Sequence, residues 1–196
     1  MIEEGFLLPR NLPITLRAGT LALPISGRLG NEQGAFMLMT DDHGKTWKAS
    51  TPVQGGSQPC IIERNDGSIF CMLRARPRSK QCLSLDRGKT WSPVANSPLK
   101  NPGAGLAMTK LKNGHVLVVF NDSETQRTPL CVARSLDDGV SWEDPVPLES
   151  ASGTYSYPCI MQTADGQIHI SYTFRRYSIK HVEMNEQWLY RFKRPN

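Results

Sequence analysis

Ser135–Trp142 reads SLDDGVSW, and the same octet stands twice more, as TDDHGKTW at Thr40–Trp47 and SLDRGKTW at Ser84–Trp91. The shared pattern is hydroxyl, any residue, Asp, any, Gly, any, hydroxyl, Trp. Asp42, Gly44 and Trp47 therefore answer to Asp86, Gly88 and Trp91, and to Asp137, Gly139 and Trp142. A fourth tryptophan, Trp188 in VEMNEQWL, keeps only the indole, as an end repeat often does. The four indoles are separated by 44, 51 and 46 residues. A second marker runs in phase: Asp66-Gly67, Asn113-Gly114 and Asp165-Gly166 each sit between two apolar runs, with a weaker copy at Gly19. Asn-Gly and Asp-Gly suit the positive φ angles of a two-residue hairpin turn.

Each unit then reads strand, tight turn, strand, loop, strand, octet, strand. In the third unit GLAMTKL precedes the turn, HVLVVFND follows it and PLCVARS leads into the octet. These runs are short and β-branched, and none sustains a helical period. Four strands per unit of this length is the arithmetic of a propeller blade. The expected fold is all-β, a propeller of about four blades of four antiparallel strands, roughly 8–52, 53–97, 98–149 and 150–196, in one partial domain spanning 1–196. Within the octet, Asp and Ser/Thr can bond backbone amides, Gly can turn the left-handed corner and Trp can pack into the blade. The octet is expected to be a structural staple at the rim.

Composition narrows the function. The chain has 196 residues, 39% hydrophobic and 21% charged, with a net charge of +5. The basic residues are scattered, which suits a small acidic ligand and argues against nucleic acid. No apolar run is long enough for a membrane-spanning helix. The start, MIEEGFLLPRN, has acids where a signal peptide would be basic, so a cytoplasmic location is the default expectation. The five cysteines show no C-x-x-C pair, and four sit in apolar runs as buried free thiols do. The four histidines fall too far apart to suggest a metal cluster, and nothing in the sequence points to a cofactor.

The octets resemble the Asp boxes of sialidases and of the wider BNR-repeat family. The likeness extends over PRNLPITLRAGTLALPIS, SQPCIIERNDGSIFCMLRAR, NPGAGLAMTKL and YSYPCIMQTADGQIHISYTFRRYSIKHV. It implies a six-bladed propeller, of which four blades are counted, so that missing blades or a second chain would complete the ring. It also implies a carbohydrate partner, a sialic-acid-like sugar among the candidates, and glycosidase chemistry. Sialidases clamp a substrate carboxylate with three arginines, protonate the leaving group with an Asp and attack with a Tyr partnered by a Glu. The resemblance gives Arg74, with Arg76 as alternative, as the second arginine, and Arg127 as the third. Tyr157, with Tyr155 as fallback, takes the place of the nucleophile, a recognised exception to the carboxylate pair of glycoside hydrolysis. Each of these has a plainer reading as a solvated arginine or a packing aromatic.

Two departures bear on activity. The place of the Glu partner holds Gln58, and an amide cannot take the phenolic proton. The first arginine and the acid/base Asp belong to blades that are not counted here, and Asp42, Asp86 and Asp137 cannot replace that Asp because they belong to the boxes. Arg175, Arg176 and Lys180 form a small basic group after the last inner strand, placed to line the central cleft or to be solvated. The expectations are therefore a sialidase-like hydrolase of an acidic terminal sugar, a non-catalytic carbohydrate-binding propeller, or an inactive fragment.

Overall fold

The computed structural model describes residues 6–192. The acidic start at Glu3 and Glu4 and the last four residues of the fourth expected blade lie outside them. The described residues form four antiparallel sheets in chain order, arranged as a β-propeller. The first holds β1 (Leu7–Pro9), β2 (Ile14–Thr15), β3 (Leu21–Leu29), β4 (Glu32–Thr40) and β5 (Lys48–Ala49). The second holds β6 (Ser57–Glu63), β7 (Ile69–Arg74), β8 (Arg78–Ser84) and β9 (Ala95–Lys100). The third holds β10 (Ala107–Lys110), β11 (Val116–Asn121), β12 (Leu130–Ser135) and β13 (Val146–Glu149). The fourth holds β14 (Tyr155–Gln162), β15 (Ile168–Phe174) and β16 (Ser178–Met184), followed by the 3-10 helix η1, Glu186–Phe192.

Within each sheet the strands run in simple up-and-down order. In the first sheet, β1 and β2 are two halves of one innermost strand, both paired with β3 and separated by Arg10–Pro13. In the fourth, η1 takes the place of an outer strand and carries Trp188. Glu186 at its start accepts from Arg134 at 2.8 Å and Asn113 at 2.6 Å, which pins the helix to the third sheet.

The hairpin turns differ from the two-residue form expected of Asp-Gly and Asn-Gly. In the second sheet the Arg64 amide donates to Ser68 O at 2.8 Å and the Gly67 amide to Arg64 O at 3.0 Å, enclosing three residues. Gly67 alone has positive φ, at 86°, while Asp66 uses its carboxylate to cap the Ser68 amide at 2.8 Å. That is a tight turn closed by a left-handed glycine, which leaves Asp66 in ordinary backbone space. The same bond pair opens at Leu16, Leu111 and Thr163.

The core lies between neighbouring sheets. Met37, Met39, Ile61, Ile69 and Leu73 pack the first against the second; Ile62, Phe70, Met108, Val118 and Phe120 pack the second against the third; Leu117, Val119, Val132, Ile160, Ile170 and Tyr172 pack the third against the fourth. The middle strands β7 and β11 are covered on both faces and read as continuous apolar runs for that reason. All five cysteines are free. Cys60, Cys71, Cys82 and Cys131 are buried, whereas Cys159, whose run PCIM had suggested burial, is partly exposed on the outer face of the fourth sheet.

Candidate functional site

The three octets repeat one hydrogen-bond pattern. The hydroxyls of Thr40, Ser84 and Ser135 donate to Asp42, Asp86 and Asp137 at 2.8, 2.8 and 2.7 Å, and accept from the amides of Gly44, Gly88 and Gly139 at 2.9, 2.7 and 2.7 Å. The second carboxylate oxygens take the hydroxyls of Thr46, Thr90 and Ser141 at 2.6, 2.6 and 2.5 Å. Bonds from Thr46 hold Asp42 down at a pKa of about 2, and bonds from Ser141 hold Asp137 at about 2 against the opposing push of desolvation. A β-carbon on Gly88 would lie 1.6 Å from Met37 Cε, and one on Gly139 would lie 2.7 Å from Phe70. Each of these boxes thus abuts the middle of the preceding blade. The indoles follow suit: Trp91, Trp142 and Trp188 pack at successive sheet–sheet interfaces, and Trp47 on the outer face of the first sheet. Every polar atom of the box carboxylates faces the loop it closes, which leaves them no catalytic reach.

The opposite ends of the innermost strands hold the sequence-predicted Gln58 and Tyr157. Counting six residues back from the residue that opens each turn gives Arg10, Gln58, Gly105 and Tyr157, one per blade. At two of these positions the ladder bulges, between Ser57 and Cys60 and between Ser156 and Cys159. Gln58 (φ 49°) and Tyr157 (φ 54°) sit in those bulges with left-handed backbones, a conformation that non-glycine residues adopt at a cost. A β-bulge re-aims a side chain, and here both are turned out of the ladder.

The sequence-predicted residues meet around Tyr157. The guanidinium of Arg127 lies 5.5 Å from its ring centroid, and Arg127 O accepts the Tyr155 amide at 2.9 Å, tying the loop before β12 to β14. Arg74, at the end of β7, donates to Gln58 Oε1 at 3.2 Å. Desolvation pushes the Tyr157 phenol up, but hydrogen bonds and charge from Arg74 and Arg127 outweigh it and bring its pKa below the ordinary value. Gln58 therefore faces an arginine with its amide oxygen. Glu63 is at the turn end, bonded to Arg17, and Glu32 is exposed at the tip of the β3–β4 hairpin.

The remaining candidates stand to the side. Arg76 lines a cavity of about 270 Å³ with Ser57, Arg74, Ala75, Pro102 and Gly103. Arg175 is exposed and lies 5.3 Å from the Phe174 ring, and the neighbouring Tyr155 hydroxyl raises its pKa. Tyr155 is wholly buried, which removes it as the fallback nucleophile. Lys180 pairs with Glu149. The histidines are closer than their spacing suggested: His169 Nδ1 and His181 Nε2 lie 3.0 Å apart across β15 and β16. No group of three or more metal-binding side chains occurs among the described residues.

Arg10 was missed. It stands in no motif; only alignment on the turns, counting back along PRNLPITL, SQPCIIER, AGLAMTKL and SYPCIMQT, exposes it. Its guanidinium lies 5.5 Å from the Tyr157 ring centroid, on the same ring as Arg127. Burial lowers its pKa, and the neighbouring Cys60, Cys159 and Tyr157 act in the opposite sense.

A family model described as a BNR repeat-like domain matches residues 7–170. The chain is similar to a sialidase from Micromonospora viridifaciens, 28% identical over 176 residues that cover 81% of this chain and 27% of that protein. An anhydrosialidase from Macrobdella decora is 24% identical over 178 residues, covering 79% and 23%. The intramolecular trans-sialidase from Ruminococcus gnavus, solved in complex with oseltamivir carboxylate, matches with a TM-score of 0.77 at 21% identity, over 94% of this chain and 45% of that one. The chain spans about a quarter of the length of the curated relatives it matches.

Proposed function

The chain belongs to the BNR repeat-like domain family, and from that premise we propose that it carries the carboxylate-binding and nucleophile side of a glycoside hydrolase site for an acidic terminal sugar. One observation carries the reading: Arg74 at the end of β7, Arg127 in the loop before β12 and Tyr157 in the β14 bulge, far apart in sequence and in three successive blades, come together. Two guanidinium groups can grip a carboxylate through paired, charge-assisted hydrogen bonds. The phenol between them would then attack an anomeric carbon that an anionic carboxylate nucleophile would be repelled from. The similarity to sialidases supports the same assignment.

In this reading Gln58 changes how the phenol is readied. A Glu would accept its proton; Gln58 instead holds Arg74, so the phenol approaches neutral and passes its proton to solvent water as it attacks, a loss that the charge of Arg74 and Arg127 favours by lowering its pKa. The acid/base group and the first arginine of the sialidase pattern would come from further blades, the four sheets forming one partial propeller domain over 1–196.

The test is release of a fluorogenic aglycone from sialosides and uronides. The expected result is turnover of an acidic glycoside that Tyr157→Phe abolishes while its neutral counterpart is ignored. Turnover that survives the substitution removes Tyr157 from the mechanism. A second reading, a carbohydrate-binding propeller without turnover, is favoured by Gln58; binding of the acidic sugar with no release would select it.

A further inference from the structure

We infer that Arg10 and Asn11 are positioning residues for the axial site: together they bind the same main-chain carbonyl in each of the other three blades and so fix the bulges that aim Gln58 and Tyr157 at the axis. The inference deepens the reading above and rests on it only for the role of Tyr157.

The geometry is specific. Asn11 Nδ2 donates to Pro59 O at 2.7 Å, in the second blade. Arg10 Nη1 donates to Leu106 O at 3.3 Å, in the third, and Arg10 Nη2 to Pro158 O at 2.8 Å, in the fourth. Pro59, Leu106 and Pro158 occupy one register position, the residue after Gln58, Gly105 and Tyr157 respectively. Arg10 Nη1 also donates to Asn11 Oδ1 at 2.6 Å, which locks the two side chains into one unit. A dipeptide of the first blade therefore reaches all three others, from the gap that splits β1 from β2.

Two of the three carbonyls it takes, those of Pro59 and Pro158, are next to the strained residues. Tyr157 and Gln58 hold left-handed backbones, and a main-chain group anchored one residue further on resists their relaxation to the extended form. On the Gln58 side a second anchor exists, since the Gln58 amide donates to Ser26 Oγ at 2.6 Å. On the Tyr157 side the tie is Pro158 O on Arg10 Nη2, one residue away. Arg10 is poorly placed to grip a ligand itself: both terminal nitrogens are engaged by carbonyls, and its Nε is buried. The third blade is shaped around it. A β-carbon at Gly105 would lie 2.7 Å from Arg10 Nε and 3.1 Å from its Cζ.

Positioning is separable from mere support because Tyr157 reports its own surroundings. The charged groups facing its phenol are Arg10, Arg74 and Arg127. If Tyr157 leaves the bulge, it leaves Arg74 and Arg127 as well, and its titration returns toward that of a free phenol. The experiment follows tyrosinate absorbance across an alkaline titration, the Tyr157 component being isolated by subtraction of the Tyr157→Phe chain. Arg10→Ala is expected to raise its midpoint. Gly105→Ala is expected to raise it too, although it removes no charge, because the added methyl displaces Arg10. Asn11→Ala, which removes the Pro59 tie and one bond of Arg10 Nη1 but leaves Arg10 Nη2 on Pro158 O, is expected to raise it less than Arg10→Ala does. Arg10→Lys, which keeps the charge and can serve one carbonyl, is expected to give an intermediate midpoint and stands in for either alanine variant that does not fold. A folded Arg10→Ala, Gly105→Ala or Arg10→Lys chain with the wild-type midpoint overturns the inference. None of these measurements needs turnover, so failure to cleave any acidic glycoside sinks the proposed function without deciding this one.

Discussion

The rim and the axis of this propeller use repetition in opposite ways. At the rim, three octets keep the same residues and make the same hydrogen bonds to within about 0.2 Å. At the axis, one register position holds Arg10, Gln58, Gly105 and Tyr157, four residues with nothing chemical in common. A repeated residue in a repeated place does the same mechanical work in every blade. A divergent residue in a repeated place has been released from that work, and its chemistry can be asymmetric. A binding site for one small molecule needs that asymmetry, because the blades approach it from different sides.

The comparison breaks if the rim proves dispensable. Gly88→Ala sets a methyl 1.6 Å from Met37 Cε on a backbone at φ 83°. Overpacking and left-handed strain together should cost about 2–4 kcal/mol in urea unfolding. Gly44→Ala meets only the edge of Trp47 at 3.7 Å, so about 1 kcal/mol of strain is expected. Equal losses would mean that the boxes do not act through the neighbouring blade.

The axis should show the reverse pattern, loss of function without loss of fold. Tyr157→Phe removes a hydroxyl from a half-exposed ring and should lower turnover of an acidic glycoside by about 100-fold or more, with the unfolding midpoint unmoved. Arg74→Ala or Arg127→Ala should weaken binding of the acidic sugar by about 10–100-fold, the range of a hydrogen bond to a charged group, read by calorimetry. A fall in stability matching the fall in affinity would make these arginines structural.

The smallest effect is the acid limb of stability. Asp42 and Asp137 have folded pKa values of about 2, below the roughly 3.9 of an unfolded Asp. A depressed carboxylate contributes stability above about pH 4 and loses it as the pH falls toward 2. Melting between pH 5 and 2 should show that decline, and Asp137→Asn should flatten it slightly. An unchanged profile would mean that the box bonds persist in the unfolded chain.

The rim was legible in the sequence because selection for one mechanical task leaves one motif. The turns were legible too, although Asp66 proved to cap a three-residue turn rather than adopt positive φ itself. Arg74, Arg127 and Tyr157 came from family likeness, and the fold brings them together. Arg10 escaped because its partners are main-chain carbonyls, which have no side-chain identity for a sequence to display. The end of the fourth blade escaped as well: NEQWLYRF lacks the alternation of a strand, and Glu186 is drawn into bonds with Arg134, Asn113 and His115 that favour a short helix. The His169–His181 contact was hidden by a separation of 12 residues that the β15–β16 hairpin folds back on itself.

The central claim is that the inner strand ends form one carboxylate-binding site. Its most direct measurement is calorimetric titration of the chain with N-acetylneuraminic acid and, in parallel, with its methyl ester, which carries a methyl group in place of the negative charge. Binding of the acid, lost in the ester and in the Arg74→Ala chain, is the predicted result. Equal binding of acid and ester, or binding of the acid that Arg74→Ala leaves intact, would contradict it.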